Sequence, residues 1–385
     1  MMTVVSTSLT DQLALRIERS GPITFAEFMN VALYDPDGGF YERGAGSASG
    51  AIGTNGDFVT SPHVSPLFGA LLARQVAEFD EILGGPAAFT VLEAGAGDGT
   101  LAEEIAGSLA GTLRERGAFV LAERTARHRA LIEARRPRIG LPTRIVDDVV
   151  RIELASLDGC VLANELLDNL PFHLVRGTPD GSVELYVGLG GGAAFELTEG
   201  PVSSGHVERL APPLLPGEEA TVPAGAVAFV EGAAGALRRG YILLIDYAAG
   251  AGGTGAVHGY RRQGVVGDVL ADPGSSDVTA GVDLGIVAAH ARGLGLRVWG
   301  PVAQRDALTA LGFAEQLEAL RREQVASLDR GRGTEAVRAY SSRSAASLLV
   351  ERGGLGDFAV LCLGKGVDAI PRCMRDFNAD GGSKR

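Results

Sequence analysis

The sequence predicts an α/β protein: a doubly wound, Rossmann-like sheet with an N-terminal helical and loop cap and a large insertion between its fourth and fifth strands. Three observations predict it. From Phe89 onward, short apolar runs alternate with helical stretches at the pitch of a parallel sheet. The first run, FTVLEA, opens directly into a glycine-rich turn and a helix. Some 70 residues, 172–240, interrupt the alternation between the fourth and fifth apolar runs.

In chain order, residues 9–35 carry apolar side chains at helical spacing, broken at Gly21-Pro22. Residues 36–62 are rich in Gly, Ser and Asp without periodicity; a loop of that length with Phe40, Tyr41, Phe58 and Val59 embedded in it reads as packed and functional. A helical pattern returns over 64–83. The strand-like runs are then 89–94, 118–123, 143–148, 159–164, 241–247, 296–300 and 358–364, with a basic helix near 126–135 and the last two strands expected at an antiparallel edge. Within 172–240, HLVRG, SVELYVGL and AAFELT read as short strands and 224–238 as a small-residue helix.

Composition narrows the function classes. A net charge of -12 and a pI near 5.1 argue against generic nucleic-acid binding, which needs a basic footprint, and leave a cationic acceptor open. Cys160, Cys362 and Cys373 lack the spacing of a metal clip or redox pair, and Cys160 and Cys362 sit in apolar runs as buried thiols would. Six scattered histidines give no HxxxH or HxH pair, so no metal is expected. No apolar stretch has membrane-spanning length and no signal-peptide core opens the chain, which predicts a cytoplasmic protein without a membrane partner. A homodimer is compatible with the sequence.

The strongest local signal is VLEAGAGDGTLAEEIA. Glu93 ends a strand, Gly95, Gly97 and Gly99 follow at alternate positions, and a helix N-terminus offers free N–H groups to a carboxylate. Dinucleotide enzymes use GxGxxG with an acid about 20 residues on; here the spacing is GxGxG and Glu123 lies 28 residues after Gly95. The loop resembles motif I of class I methyltransferases. That resemblance implies S-adenosyl-L-methionine (SAM), whose ammonium suits Glu93, with Glu123 accepting the ribose hydroxyls and Asp148 meeting the adenine amino group. Asp147 is the near competitor of Asp148, and the alternative is that Glu123 and Asp148 are ordinary strand-end residues.

After the fourth strand, ANELLDNLPFH places Asn164, Glu165 and Asp168 at the ligand end of the sheet. If a helical turn starts there, Glu165 and Asp168 share a face at i, i+3, where they orient a cationic acceptor or take its proton. The alternative is an Asp168 that caps a turn and an Asn164 bonded to backbone.

GDFVTSP (56–62), EAGAGDGTL (93–101), ANELLDNLP (163–171) and LLIDY (243–247) together resemble the MidA/NDUFAF7-type family, in order and spacing from about Gly21 to Gly364. The resemblance implies SAM-dependent methyl transfer, in mitochondrial members to an arginine of a complex I subunit. It implies that Asp57, Thr60 and Ser61 close over cofactor or acceptor, with Asp57, Glu165 and Asp168 catalytic and Asn164 on the cofactor side. It divides the chain into a cap and lid (1–85), a SAM-binding half (86–171), a cap insertion (172–240) and a C-terminal half (241–385) with an acceptor-side loop at 252–282. Gln263 and Gly281 stand where the family shows histidine. The expected acceptor is a nitrogen or oxygen nucleophile, foremost an arginine of a partner protein; a small-molecule acceptor and a non-catalytic assembly factor on the same scaffold are the alternatives.

Overall fold

The computed structural model describes residues 8–42, 60–191, 194–249, 256–261 and 264–377. Gly56, Asp57, Phe58 and Gln263 lie outside the described residues.

The seven expected runs form one sheet: β1 (Phe89–Ala94), β2 (Gly117–Ala122), β3 (Thr143–Val146), β4 (Leu157–Asn164), β5 (Leu237–Asp246), β6 (Arg297–Ala303) and β7 (Ala359–Lys365), in the order β6-β7-β5-β4-β1-β2-β3. β1 pairs in parallel with both β4 and β2, so the chain reverses its direction of travel across the sheet between β1 and β4. Ligands of doubly wound sheets sit beyond the strand ends at that reversal. In register there stand Ala94, Ala122 and Ala163, three short side chains side by side at the carboxyl edge.

The last two strands form the expected antiparallel edge of the sheet. β7 runs antiparallel to both its neighbours, β5 and β6, and so lies inside the sheet, with β6 at the edge. All but the last of β7's residues are buried, as an interior strand requires.

Apolar layers cover both faces. One holds Phe68, Phe79, Ile105, Phe119 and Tyr241; the other holds Val161, Leu244, Val230 and Val287. The helix Ala224–Ala236 belongs to the second layer, packed against the sheet. A third core joins three separate segments into one cap. The helices Leu9–Ser20 and Phe25–Tyr34 start at capping boxes, Ser8 with Asp11 and Thr24 with Glu27, that satisfy their first N–H groups. Their apolar stripes, through Leu13, Phe28 and Met29, meet Leu174 and Leu185 of the insertion and Val278 of a small three-stranded sheet. That sheet pairs His258–Arg261 with Gly264–Val266 on one side and Asp277–Thr279 on the other. The cap thereby carries Tyr34, Tyr41, Asp277 and Thr279 to the ligand end of the main sheet. Among the described residues no helix is long and apolar enough to cross a membrane.

Candidate active site

The glycine loop needs its glycines. Gly95, Gly97 and Gly99 have φ of 66°, 55° and 79°, the left-handed region that a Cβ penalises. At Gly95 a Cβ would also stand 2.8 Å from Leu166 Cδ1. Asp98 holds the loop from outside: Oδ1 accepts the Thr100 N–H (3.0 Å) and hydroxyl (2.6 Å), and Oδ2 pairs with Arg135 at 2.7 Å. Burial opposes its charge, but His63, Thr100 and Arg135 together outweigh that and hold its carboxyl well below the usual range.

Behind the loop lies a small cavity lined by Glu93, His63, Asn164 and Glu165. Glu93 is buried; burial, then the charges of Asp98, Glu104 and Glu123, push its carboxyl well up. Glu93 Oε2 and Asn164 Oδ1 are buried acceptors with no hydrogen-bond partner among the described residues. Buried acceptors left in this state cost stability unless a donor arrives. An ammonium group for these acceptors, with a carboxylate for the helix N-terminus beside them, is the combination found in an amino acid.

On the other side of the loop a cavity reaches from Gly97 past Glu123 and Asp148 to Leu170 and Phe229. Glu123 Oε2 accepts the Gly97 N–H at 2.9 Å; Oε1 accepts the Thr125 N–H (2.9 Å) and hydroxyl (2.8 Å). Burial would raise Glu123, but His128, 3.8 Å away, and Thr125 more than offset it, so it stays ionised. A carboxylate has about four lone-pair sites, so Oε2 keeps capacity for a hydroxyl donor. Asp148 is exposed at the same cavity and caps a 3-10 turn by accepting the Val150 N–H at 3.1 Å; Asp147 lies 3.5 Å from Arg151 Nε. Tyr34 forms the far wall, under the Arg124 guanidinium at 4.3 Å.

The acidic segment after β4 differs from the helical turn expected of it. Glu165 has φ 53°, a left-handed conformation rare outside glycine, and only Leu167–Asn169 form a 3-10 turn. The two carboxylates therefore diverge. Glu165 Oε1 accepts the Ser61 N–H at 2.9 Å and the Asn164 amide at 3.0 Å; Asp168 Oδ2 accepts the Thr279 hydroxyl at 2.9 Å. They still meet at one place, since both line a third cavity with Thr60, Asp277, Tyr247 and Phe358. Glu165 and Tyr41 also line the cavity of Glu123, so they form the wall between the two. Thr60 lines the acceptor cavity and that of Glu93, its hydroxyl 2.8 Å from His63 Nδ1, and the buried Ser61 hydroxyl donates to Gln304 at 3.4 Å.

Burial raises Glu165 to about 7, against the Ser61 and Asn164 hydrogen bonds. It raises Asp277 likewise to about 7, with the charge of Asp168 adding to it. Asp168 and Asp246 abut; burial pushes both up, and the charge of Asp168 raises Asp246 further. Asp246 is itself fixed by three backbone donors, Leu166 (3.0 Å), Leu167 (2.6 Å) and Tyr247 (2.8 Å). Asp246, Asp277, Asn169 and Tyr34 were not singled out by the sequence reading, and Tyr41 only as an aromatic of the long N-terminal loop. Gly281 lines the acceptor cavity, and a Cβ there would stand 2.8 Å from the Ala249 backbone nitrogen. The histidine of the family pattern does not fit this backbone.

Strand order 6-7-5-4-1-2-3, a GxGxG turn after β1 and an acid after β2 define a class I SAM-dependent methyltransferase. The chain belongs to the family described as "Putative S-adenosyl-L-methionine-dependent methyltransferase", whose model matches residues 71–302. Among relatives, it is 30% identical over 353 residues to the mouse (Mus musculus) mitochondrial protein arginine methyltransferase NDUFAF7, covering 82% of this chain and 76% of that one. The rat (Rattus norvegicus) protein is 29% identical over 351 residues, with the same coverage. A COG1565 superfamily member from Burkholderia thailandensis, solved bound to S-adenosyl-homocysteine, superposes with a TM-score of 0.78 at 27% identity, over 95% of this chain and 94% of that one.

Proposed function

We propose that this methyltransferase transfers the SAM methyl group to a guanidinium nitrogen of an arginine in a partner protein. One observation carries the reading: the cavity on the far side of Glu165 is lined by Glu165, Asp168 and Asp277, and no Lys or Arg is among the described residues that line it. Three carboxyls gathered in low dielectric repel one another unless protonated or joined by a cation. A guanidinium is a cation at every ordinary pH and matches carboxylates with a planar fork of donors. The relatives named as protein arginine methyltransferases support the same acceptor.

In this reading the ammonium of SAM meets Glu93, its carboxylate the helix N-terminus at Thr100, its ribose Glu123 and its adenine the Asp148 side of the cavity. Gly95, Gly97 and Gly99 let the backbone approach, while Asn164, Thr60 and Ser61 close the methyl end. Bound SAM supplies an electrophilic methyl carbon. The acceptor nitrogen forms the new N–C bond as the S–C bond breaks, and it gives up one proton. Glu165, at the wall between the cavities and raised to about 7, takes that proton. Asp168 aligns the guanidinium, and Asp246 holds Asp168's loop by its backbone N–H groups.

The test compares peptides from a strain lacking the gene with those from the complemented strain by quantitative mass spectrometry. A methylarginine in one protein that disappears on deletion and returns with the wild-type gene supports the proposal. An unchanged proteome, with a metabolite that gains a methyl group only when the gene is present, contradicts it; so does full rescue of the deletion by a variant unable to bind SAM.

A further inference from the structure

We infer that Asp277 is the residue that makes the acceptor cavity selective for a planar guanidinium over other cations, as the second arm of a clamp whose first arm is Asp168. The inference rests on the guanidinium reading above and extends it to a residue on a different element.

Asp168 comes from the turn after β4, and Asp277 from the small sheet of the cap, 109 residues later. Both line the acceptor cavity. Each is anchored from behind. Thr279, two residues beyond Asp277 on the same strand, donates to Asp168 Oδ2 at 2.9 Å and thereby fixes the spacing between the arms. Asp277 Oδ1 accepts the Tyr41 hydroxyl at 3.1 Å and the Asn169 amide at 3.0 Å, and Oδ2 lies 3.1 Å from the same amide. Tyr41 is tied in turn to Asn169 Oδ1 at 3.0 Å.

Those bonds orient Asp277 and leave part of its acceptor capacity unused, since a carboxylate takes about four hydrogen bonds. Orientation matters for one kind of ligand. An ammonium is a compact point charge with three rotatable donors and is satisfied by a single carboxylate. A guanidinium presents N–H groups along fixed directions on more than one edge and gains from two carboxylates held at a set separation. A site needing only net negative charge would not hold its second carboxylate by a tyrosine and an asparagine from two other segments. Tyr41 and Asn169 also line the cofactor cavity, so the arm is set by residues that touch both ligands.

The probes are ethylguanidinium and ethylammonium chloride, titrated by calorimetry or ligand-observed NMR into the full chain loaded with S-adenosyl-homocysteine. The wild type is expected to prefer ethylguanidinium. Asp277→Asn should lose about tenfold in ethylguanidinium affinity, the scale of one charged hydrogen-bonding arm, with ethylammonium changed far less. S-adenosyl-homocysteine affinity of the variant, measured in the same experiment, reports that it is folded. If Asp277→Asn does not fold, Tyr41→Phe, which removes one hydroxyl from behind the arm, should narrow the same preference. A folded Asp277→Asn protein, or a Tyr41→Phe protein, with the wild-type preference overturns the role of Asp277 while leaving the guanidinium reading standing. A wild type without preference for ethylguanidinium overturns that reading, and this inference with it.

Discussion

The Gly97 N–H donates to Glu123 Oε2 at 2.9 Å, tying the middle of the glycine loop to the end of the neighbouring strand 26 residues away. The acid that meets the ribose in our proposal therefore also holds the loop on which the amino-acid end rests. Glu123→Gln keeps the shape but replaces one acceptor oxygen with a donor. It should weaken S-adenosyl-homocysteine binding by about 10- to 100-fold, the scale of one or two charged hydrogen bonds. Calorimetry showing unchanged affinity would remove Glu123 from the cofactor site.

At Gly97 a side chain is disfavoured, because its φ is 55° and the residue lines the cofactor cavity. Gly97→Val should abolish measurable binding, since a β-branched residue is strained in that conformation and intrudes on the ligand. Binding within a few fold of wild type would exclude this loop as the SAM site.

Glu165 and Asp168 should separate binding from turnover. Alanine at either position is expected to leave SAM affinity within a few fold and to cut turnover by roughly 10²–10⁴. For Glu165 the loss should carry a pH signature. The group raised to about 7 must be ionised to take the acceptor's proton, so kcat/KM should climb with pH and level off above about 7. Glu165→Gln should remove that limb, and an unchanged limb in the variant would assign it to another group.

The reach of sequence reasoning follows from distance along the chain. The seven strands were legible as apolar runs, and the glycine loop announced itself because its residues are contiguous. Glu165 and Asp168 were legible as an acidic cluster, but not the left-handed turn at Glu165 that points them at different partners. Asp246 reads in sequence as one of the last residues of a strand; its hold on the Leu166 N–H spans 80 residues. The bond from Tyr41 to Asp277 spans 236. Such pairings arise from packing of the cap against the sheet, which periodicity does not encode. The interior place of β7 is hidden for the same reason, since strand order is a tertiary property.

The buried acids also predict a stability profile. Glu165, Asp277 and Glu104 are raised by burial, to about 7, 7 and 8, above the values near 4 of an unfolded chain. Between those values the folded state holds protons that the unfolded state has released, so stability falls as pH rises from about 5 to about 8. Glu123 and Asp98 lie below their ordinary values and act oppositely, losing their contribution only as pH drops below about 4. The melting temperature of the ligand-free protein should accordingly decline from pH 5 to pH 8, and Asp277→Asn should flatten the decline. A melting temperature that rises over that interval would contradict the protonation states assigned to the acceptor cavity.

The most direct test of the account follows the methyl group itself. The purified protein is incubated with methyl-tritiated SAM in a lysate of a strain lacking the gene, and labelled protein is hydrolysed to amino acids. The account predicts tritium in methylarginine from one protein band, absent with Glu165→Ala. Label confined to small molecules, or no transfer by a protein that binds SAM, would contradict it.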